Sequence, residues 1–252
     1  MTTLLETDGL TRRFGGLDAV SDVSVTVEQN SVVGFIGPNG AGKTTFINVV
    51  TGFLKPSAGR VVFDGNDVTG NRPWDVARAG VSRTFQIAKP FRDLTVRENV
   101  ALGSMFGPGN SRSVAASLTD ADEVLERVGL SERAEARPGE LPIADTKRLE
   151  LAKALAMKPR LLLLDEVMAG LRPAEIDNSI DLIRSLQKDG LTIVVIEHVM
   201  KAILAVSDKV IVLHEGKRLA EGPPKEIASD DRVIEAYLGE RYAKRVKEGG
   251  DA

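Results

Sequence analysis

Gly37-Pro38-Asn39-Gly40-Ala41-Gly42-Lys43-Thr44 fits the phosphate-loop pattern G-x-x-x-x-G-K-[ST] at every position. Glycine lets the backbone turn where a Cβ would clash, so successive N–H groups can point inward and form a nest for an anion. Lys43 is the residue to place an ammonium between two terminal phosphates. Thr44 can offer a hydroxyl to a divalent cation, and a helix beginning near Lys43 adds the positive end of its dipole. The flanks supply the required context. Ser31-Val32-Val33-Gly34-Phe35-Ile36 reads as a strand and Thr45-Phe46-Ile47-Asn48-Val49-Val50 as a helix, so the motif sits at a strand-to-helix turn and predicts nucleoside triphosphate binding.

Working outward, Val23, Val25 and Val27 alternate with Ser24 and Thr26, and Val61-Val62-Phe63 runs into the turn Asp64-Gly65-Asn66. The first third therefore reads as short strands around the loop. Leu161 to Leu164 and Thr192 to Ile196 are continuous apolar runs, as expected of strands buried on both faces of a parallel sheet. Pro173 marks a helix start, and Ile176, Ile180, Ile183 and Leu186 recur at helical spacing until Gly190, which makes a βαβ crossover. Between about Pro90 and Ala156 strand signals give way to helical ones, with Gly107-Pro108-Gly109-Asn110 as a loop and Ala121 to Val128 as a short helix. Val210 to Leu213 and Lys217 to Ala220 flank Glu215-Gly216 as a hairpin, and residues 241–252, mostly charged or small, are expected to fray.

The second chemical motif is Leu161-Leu162-Leu163-Leu164-Asp165-Glu166. It places Asp165 at the C-terminal end of a buried strand, the edge at which open α/β sheets bind ligands. Asp165 is the expected Mg²⁺ ligand, and Glu166 the expected catalytic base that deprotonates a water attacking the γ-phosphate. Ile196-Glu197-His198 brings an imidazole toward the same edge, where His198 could contact the γ-phosphate. Gln86, after Ser82-Arg83-Thr84-Phe85, could reach Mg²⁺ or the water through its amide.

Composition narrows the classes. The chain has 252 residues, is 42% hydrophobic and carries a formal net charge of −3. That balance is unlike the basic face of a nucleic-acid binder, so DNA and RNA are not expected partners. There is no cysteine, which excludes disulfides and cysteine-ligated zinc. The first residues, Met-Thr-Thr-Leu-Leu-Glu-Thr-Asp, lack the regions of a signal peptide, and no apolar run approaches the roughly 20 residues of a membrane span. A cytoplasmic location with a peripheral membrane role follows as the expectation.

Taken together, these elements resemble the nucleotide-binding subunits of ATP-binding cassette transporters over nearly the whole chain. In family terms Gly37 to Thr45 look like the Walker A segment, Leu161 to Glu166 like Walker B, Gln86 like the Q-loop, Ala169-Gly170-Leu171 like the D-loop and His198 like the switch histidine. Phe14 looks like the aromatic that stacks on adenine. The resemblance implies an α/β fold: a P-loop NTPase core with a mostly parallel sheet, an N-terminal antiparallel β region and an inserted helical lobe. Residues 1–252 would be one cassette domain, with 1–86 and 157–240 as the core, 87–156 as the lobe and 241–252 as a tail.

Longer stretches, Arg12-Arg13-Phe14-Gly15-Gly16, Gly52-Phe53-Leu54-Lys55-Pro56, Arg83-Thr84-Phe85-Gln86 and Ala236-Tyr237-Leu238-Gly239, look like the branched-chain amino acid uptake branch. That resemblance implies ATP and Mg²⁺ as cofactors and a second cassette, either a sister chain or a second copy, closing head to tail. It also implies two membrane permeases above the pair and a periplasmic or extracellular binding protein that delivers solute. The cassette would then sit on the inner face of the membrane, with Phe91 in the lobe as an apolar anchor for the permease.

One segment departs from the family pattern. The signature Leu-Ser-Gly-Gly-Gln, which offers a serine hydroxyl and N–H groups to the opposing γ-phosphate, aligns with Leu141-Pro142-Ile143-Ala144-Asp145. Pro142 has neither hydroxyl nor N–H, and Asp145 sets a carboxylate where a phosphate should lie. Either the loop is a poor donor or Asp145 caps its helix and the N–H groups of Ile143 and Ala144 suffice. The departure keeps open an ATP-binding regulatory module, or a soluble non-transport cassette, with weak turnover.

Overall fold

The computed structural model describes residues 2–85, 89–108, 113–197 and 199–238. In chain order, β1 (Thr3–Phe14) and β2 (Leu17–Glu28) form a long hairpin, followed by β3 (Val32–Ile36) and α1 (Lys43–Val50). Next come β4 (Ala58–Phe63), β5 (Asn66–Asp67), α2 (Pro73–Ala79) and β6 (Val81–Arg83). Three helices intervene, α3 (Val96–Phe106), α4 (Val114–Val128) and α5 (Ile143–Ala156), before β7 (Leu161–Asp165), α6 (Pro173–Lys188) and β8 (Thr192–Ile196). The remainder is α7 (Met200–Val206), β9 (Lys209–His214), β10 (Lys217–Gly222), α8 (Pro224–Ser229) and α9 (Asp231–Leu238).

Two sheets result. An antiparallel sheet has the order β2-β1-β4-β5, and a six-stranded sheet the order β10-β9-β3-β8-β7-β6. In the second, β3, β6, β7, β8 and β9 pair in parallel and only β10 runs antiparallel, against β9. The all-apolar strands are explained by two cores. Leu161, Leu163, Val194, Ile196, Ile211 and Leu213 face a core shared with the antiparallel sheet and α1. Leu162, Leu164, Ile193, Val195, Val210 and Val212 face the other, shared with the helices. Alternate side chains thus enter different cores, so no polar residue interrupts the run.

The fold is the expected α/β arrangement, with differences of detail. The hairpin strands are 12 residues each, longer than the short strands expected, with bulges where the register shifts. Helix α4 starts seven residues before Ala121, because the Ser113 hydroxyl accepts from the Ala116 N–H. Its first turn, Val114-Ala115-Ala116, is exposed and so shows no apolar period. The edge strand β6 is too short for a pattern and exists through pairing with β7. Helix α3 opens on a capping box, Glu98 N–H to Thr95 Oγ1 at 3.1 Å and Thr95 N–H to Glu98 Oε2 at 2.8 Å. Helices α3, α4 and α5 pack on one another as the inserted lobe.

Candidate active site

The phosphate loop leaves the C-terminal end of β3, the strand between β8 and β9 at the middle of the sheet. Its glycines are required by close approach as well as by backbone angle. A Cβ on Gly37 (φ +154°) would lie 2.2 Å from the Leu213 carbonyl of β9, and one on Gly42 (φ +99°) 2.3 Å from the Ala19 carbonyl of β2. The turn between β9 and β10 clasps the loop from outside: Gly216 N–H donates to Ala41 O at 3.1 Å, and Ser21 N–H to Gly216 O at 2.8 Å. Tyr237 of α9 is hydrogen-bonded to the Gly37 backbone, while burial pushes its phenol up to about 12.

Lys43 is buried at the first turn of α1, and its Nζ donates to the carbonyls of Gly37 at 2.6 Å and Pro38 at 3.0 Å. Burial lowers its pKa, against the opposing pull of the Glu166 and Asp165 carboxylates. Lys43 therefore feels the two acids at the end of β7, two strands away across β8. Thr44 is exposed and Thr45 half-buried on the same turn, and Asn39 and Gly40 are exposed at the crest of the loop.

Asp165 closes β7, buried to 3% exposure. Burial raises its pKa, and the Arg83 guanidinium, Nη2 to Oδ2 at 3.2 Å, opposes the rise. The Asp165 N–H donates to the Thr84 hydroxyl at 3.0 Å, which locks the end of β7 to the residue after β6. Glu166 adopts a left-handed backbone, φ +53°, a conformation that costs a side-chain-bearing residue about 1–2 kcal/mol. Two bonds hold it there: its N–H donates to Ile196 O at 2.9 Å, and its carbonyl accepts Lys147 Nζ, from α5, at 2.9 Å. Beyond it, the buried Glu197 carboxylate accepts the Met168 N–H at 2.6 Å and pins the segment leading to Ala169-Gly170-Leu171.

The structure thus gathers Gly37, Pro38, Asn39, Gly40, Ala41, Gly42, Lys43, Thr44, Thr45, Asp165 and Glu166 at one edge of the sheet. Gln86 and His198, expected at the same place, lie outside the described residues. Phe14 stands at the end of β1, 45% exposed, with the Arg12 guanidinium 4.7 Å from its ring centroid. Arg83, Thr84, Lys147 and Glu197 were not marked as site residues by the sequence reading. Only the adjacency of Thr84 to Gln86 and of Glu197 to His198 hinted at them.

At the signature position, Pro142 is the residue before the first helical residue of α5, and no side chain caps the helix. The alternative in which Asp145 acts as the cap is therefore corrected: it is the third residue of the helix. Its carboxylate lies 3.9 Å from the Arg133 and 3.8 Å from the Arg148 guanidinium. The first N–H groups of a helix have no intrahelical acceptor, so those of Ile143, Ala144 and Asp145 point out of its end.

The ABC transporter family model matches residues 20–169, and a second model, described as branched-chain amino acid ATP-binding cassette transporter, matches residues 217–243. The high-affinity branched-chain amino acid transport ATP-binding protein BraF of Pseudomonas aeruginosa is 41% identical, with 94% of this chain and 98% of that protein covered. LivG of Escherichia coli K12, described in the same words, is 40% identical over the same shares. Among solved structures, a nucleotide-free ATP-binding cassette from an ABC transporter superposes with a TM-score of 0.86 at 33% identity, covering 95% of this chain and all of the other. A phosphate loop and a paired Asp-Glu on one sheet edge, within a cassette matched along its length, lead to one assignment: the chain belongs to the ABC transporter family, as an ATP-binding, ATP-hydrolysing subunit that couples hydrolysis to import.

Proposed function

We propose that this subunit powers uptake of branched-chain or related amino acids, hydrolysing ATP held between its own phosphate loop and the signature loop of a second cassette. The observation that carries the catalytic half is that the phosphate loop with Lys43 follows β3 while Asp165 ends β7 and Glu166 follows it, two strands away on the same sheet edge. In this reading the loop N–H groups and Lys43 bind the β- and γ-phosphates, and Phe14 stacks on adenine. Glu166 takes a proton from the attacking water through its carboxylate, aimed by the backbone that Lys147 and Ile196 hold. Gln86 and His198 complete the γ-phosphate contacts.

Mg²⁺ fits the donors present. A hydroxyl at Thr44 and a buried carboxylate at Asp165 are hard oxygen ligands, and Gln86 adds an amide. Mg²⁺ is commonly held by one or two carboxylates together with substrate phosphates, and Asp165 supplies one such carboxylate. When bound, the ion neutralises phosphate charge.

The solute assignment draws on the names of the relatives and on the match at residues 217–243. By the same route we assign two permeases, a solute-binding protein and a position on the inner membrane face. Among the described residues no helix is long and apolar enough to cross a membrane. A cavity of about 740 Å³ between the core and the lobe, bordered by the exposed rings of Phe53, Phe85, Phe91 and Phe106, is the seat we assign to a permease helix. We take residues 1–86 and 157–240 as the core and 87–156 as the lobe. The altered signature, with Pro142 and the Asp145 carboxylate, favours a sister chain over a second copy as the partner, and it is the one feature that supports the alternative of a weakly hydrolysing regulatory cassette.

The test is to purify the subunit with its membrane partners in proteoliposomes and measure ATP hydrolysis and uptake with binding protein loaded with leucine, isoleucine or valine. Stimulation by these solutes supports the reading. Stimulation by a different solute class would overturn the solute assignment, and hydrolysis indifferent to the membrane subunits would leave the regulatory cassette.

A further inference from the structure

Arg83 ends β6, its side chain 9% exposed. Every face of its guanidinium is used. Nη2 bonds Asp165 Oδ2 at 3.2 Å, and Nη1 bonds Asn48 Oδ1 of α1 at 2.6 Å and reaches Thr51 Oγ1 at 3.4 Å. Its Cζ also lies over two aromatic rings, 4.8 Å from the Phe85 centroid and 5.5 Å from that of Phe53. Those rings meet each other edge to face at 5.7 Å, and both line the cavity between core and lobe, 41% and 50% exposed. One cation therefore bonds Asp165 in the nucleotide site and contacts two rings that wall the cavity.

The consequence is mechanical and electrostatic. A guanidinium is rigid, so it cannot follow a ring that rotates or shifts without changing how its fork meets the carboxylate. A cation–π contact and a charge-assisted bond to a carboxylate are both directional, and the second is buried, with Asp165 3% exposed. Phe53 and Phe85 line the cavity, so a residue seated against them shifts the rings that Arg83 contacts.

We propose that Arg83 is a positioning residue that carries the state of the core–lobe cavity to the Asp165 carboxylate, so that filling the cavity changes how tightly the site holds a divalent cation with its nucleotide. The proposal rests on the cavity being the seat of the membrane subunit. Neither ring is among the residues assigned to the nucleotide, so their part in the relay is separate from binding.

The assembled transporter and the free subunit are compared for affinity toward Mn²⁺ with a non-hydrolysable ATP analogue, read by electron paramagnetic resonance. Two linked sites commonly alter each other's affinity by about 5- to 150-fold. Wild type is expected to show a ratio of about 5 or more between the two states. Phe85→Leu, at a ring exposed enough to be replaced without loss of folding, and Arg83→Lys, which keeps the charge but not the plane, are each expected to bring the ratio to within about twofold of unity. In the Phe85→Leu, Arg83→Lys double variant the ratio falls no further, because the two act in series. Independent packing defects would instead add. If wild type is coupled and both single variants keep its ratio, the relay is wrong and the seat stands. If wild type itself shows no difference between free and assembled states, while Phe91→Asp does not disturb assembly, the seat is wrong and the relay falls with it.

Discussion

Lys43 lies against the carbonyls of Gly37 and Pro38, so its ammonium is already gathered over the loop. Lys43→Ala removes a charge-assisted contact of roughly 1.5–3 kcal/mol, and ATP affinity should fall about ten- to a hundredfold in calorimetric titration. Wild-type affinity in that variant would contradict the loop assignment. Glu166→Gln keeps the loop and Asp165 and should bind ATP normally while turning over about 10² to 10⁴ times more slowly in the assembled complex. Unchanged turnover would remove Glu166 as the base. Tyr237 supplies a test by pH. Its folded-state pKa is raised from 10.0 to about 12, so between these values the folded chain holds a proton that the unfolded chain releases. Stability must then fall as pH rises from 10 towards 12. Tyr237→Phe should flatten that part of the unfolding profile, and an unchanged slope would place the tyrosine in water. These residues were not equally legible. The loop and the Asp-Glu pair declare themselves because their chemistry and spacing are local. Arg83 and Lys147 do not, because their roles are contacts across 82 and 19 residues of chain.

Helix α5 illustrates the element scale. The alignment of Leu141 to Asp145 with the signature rests on Lys147-Arg148-Leu149-Glu150-Leu151-Ala152-Lys153-Ala154-Leu155, which follows as the helix that the family resemblance implies. The ion pairs of Asp145 could not be read, because Arg133 comes from a different segment. At about 6 Å and an effective dielectric near 20, an uncompensated carboxylate repels a unit of phosphate charge by roughly 3 kcal/mol. The guanidiniums of Arg133 and Arg148 offset much of this, so the missing serine hydroxyl, worth about 1.5–3 kcal/mol against a charged acceptor, is the larger defect. The chain alone should therefore close poorly on ATP, and a Pro142→Ser, Ala144→Gly, Asp145→Gln triple variant should dimerise on ATP about tenfold more tightly, measured by light scattering. Equal dimerisation and turnover would make the natural loop an adequate donor and remove the case for a sister chain. Helix α4 teaches the converse. Its first turn was missed since an exposed turn held by a serine cap leaves no apolar period.

At the scale of the molecule, the buried strands were legible because a sheet covered on both sides needs unbroken apolar runs. The strand order was not, since β3 pairs with β8 and β9 from the far end of the chain. The cavity between core and lobe belongs to this scale too. Phe91, 57% exposed, stands at its rim, and Phe91→Asp should leave the subunit folded and ATP-binding while abolishing transport coupled to hydrolysis. Loss of folding, seen by thermal melting, would instead make Phe91 part of the lobe's packing. The clasp of the β9–β10 turn on the phosphate loop has a consequence in time. Loop and motif leave the ribosome early, but Gly216, which closes on Ala41, follows about 170 residues later, roughly 9 to 35 s at about 5–20 residues per second. For most of that interval β3 lacks both neighbours, β8 and β9, and throughout it the loop lacks its outer wall. The nascent chain must spend that interval unable to hold nucleotide, so ATP cannot guide the early folding of the domain that exists to bind it.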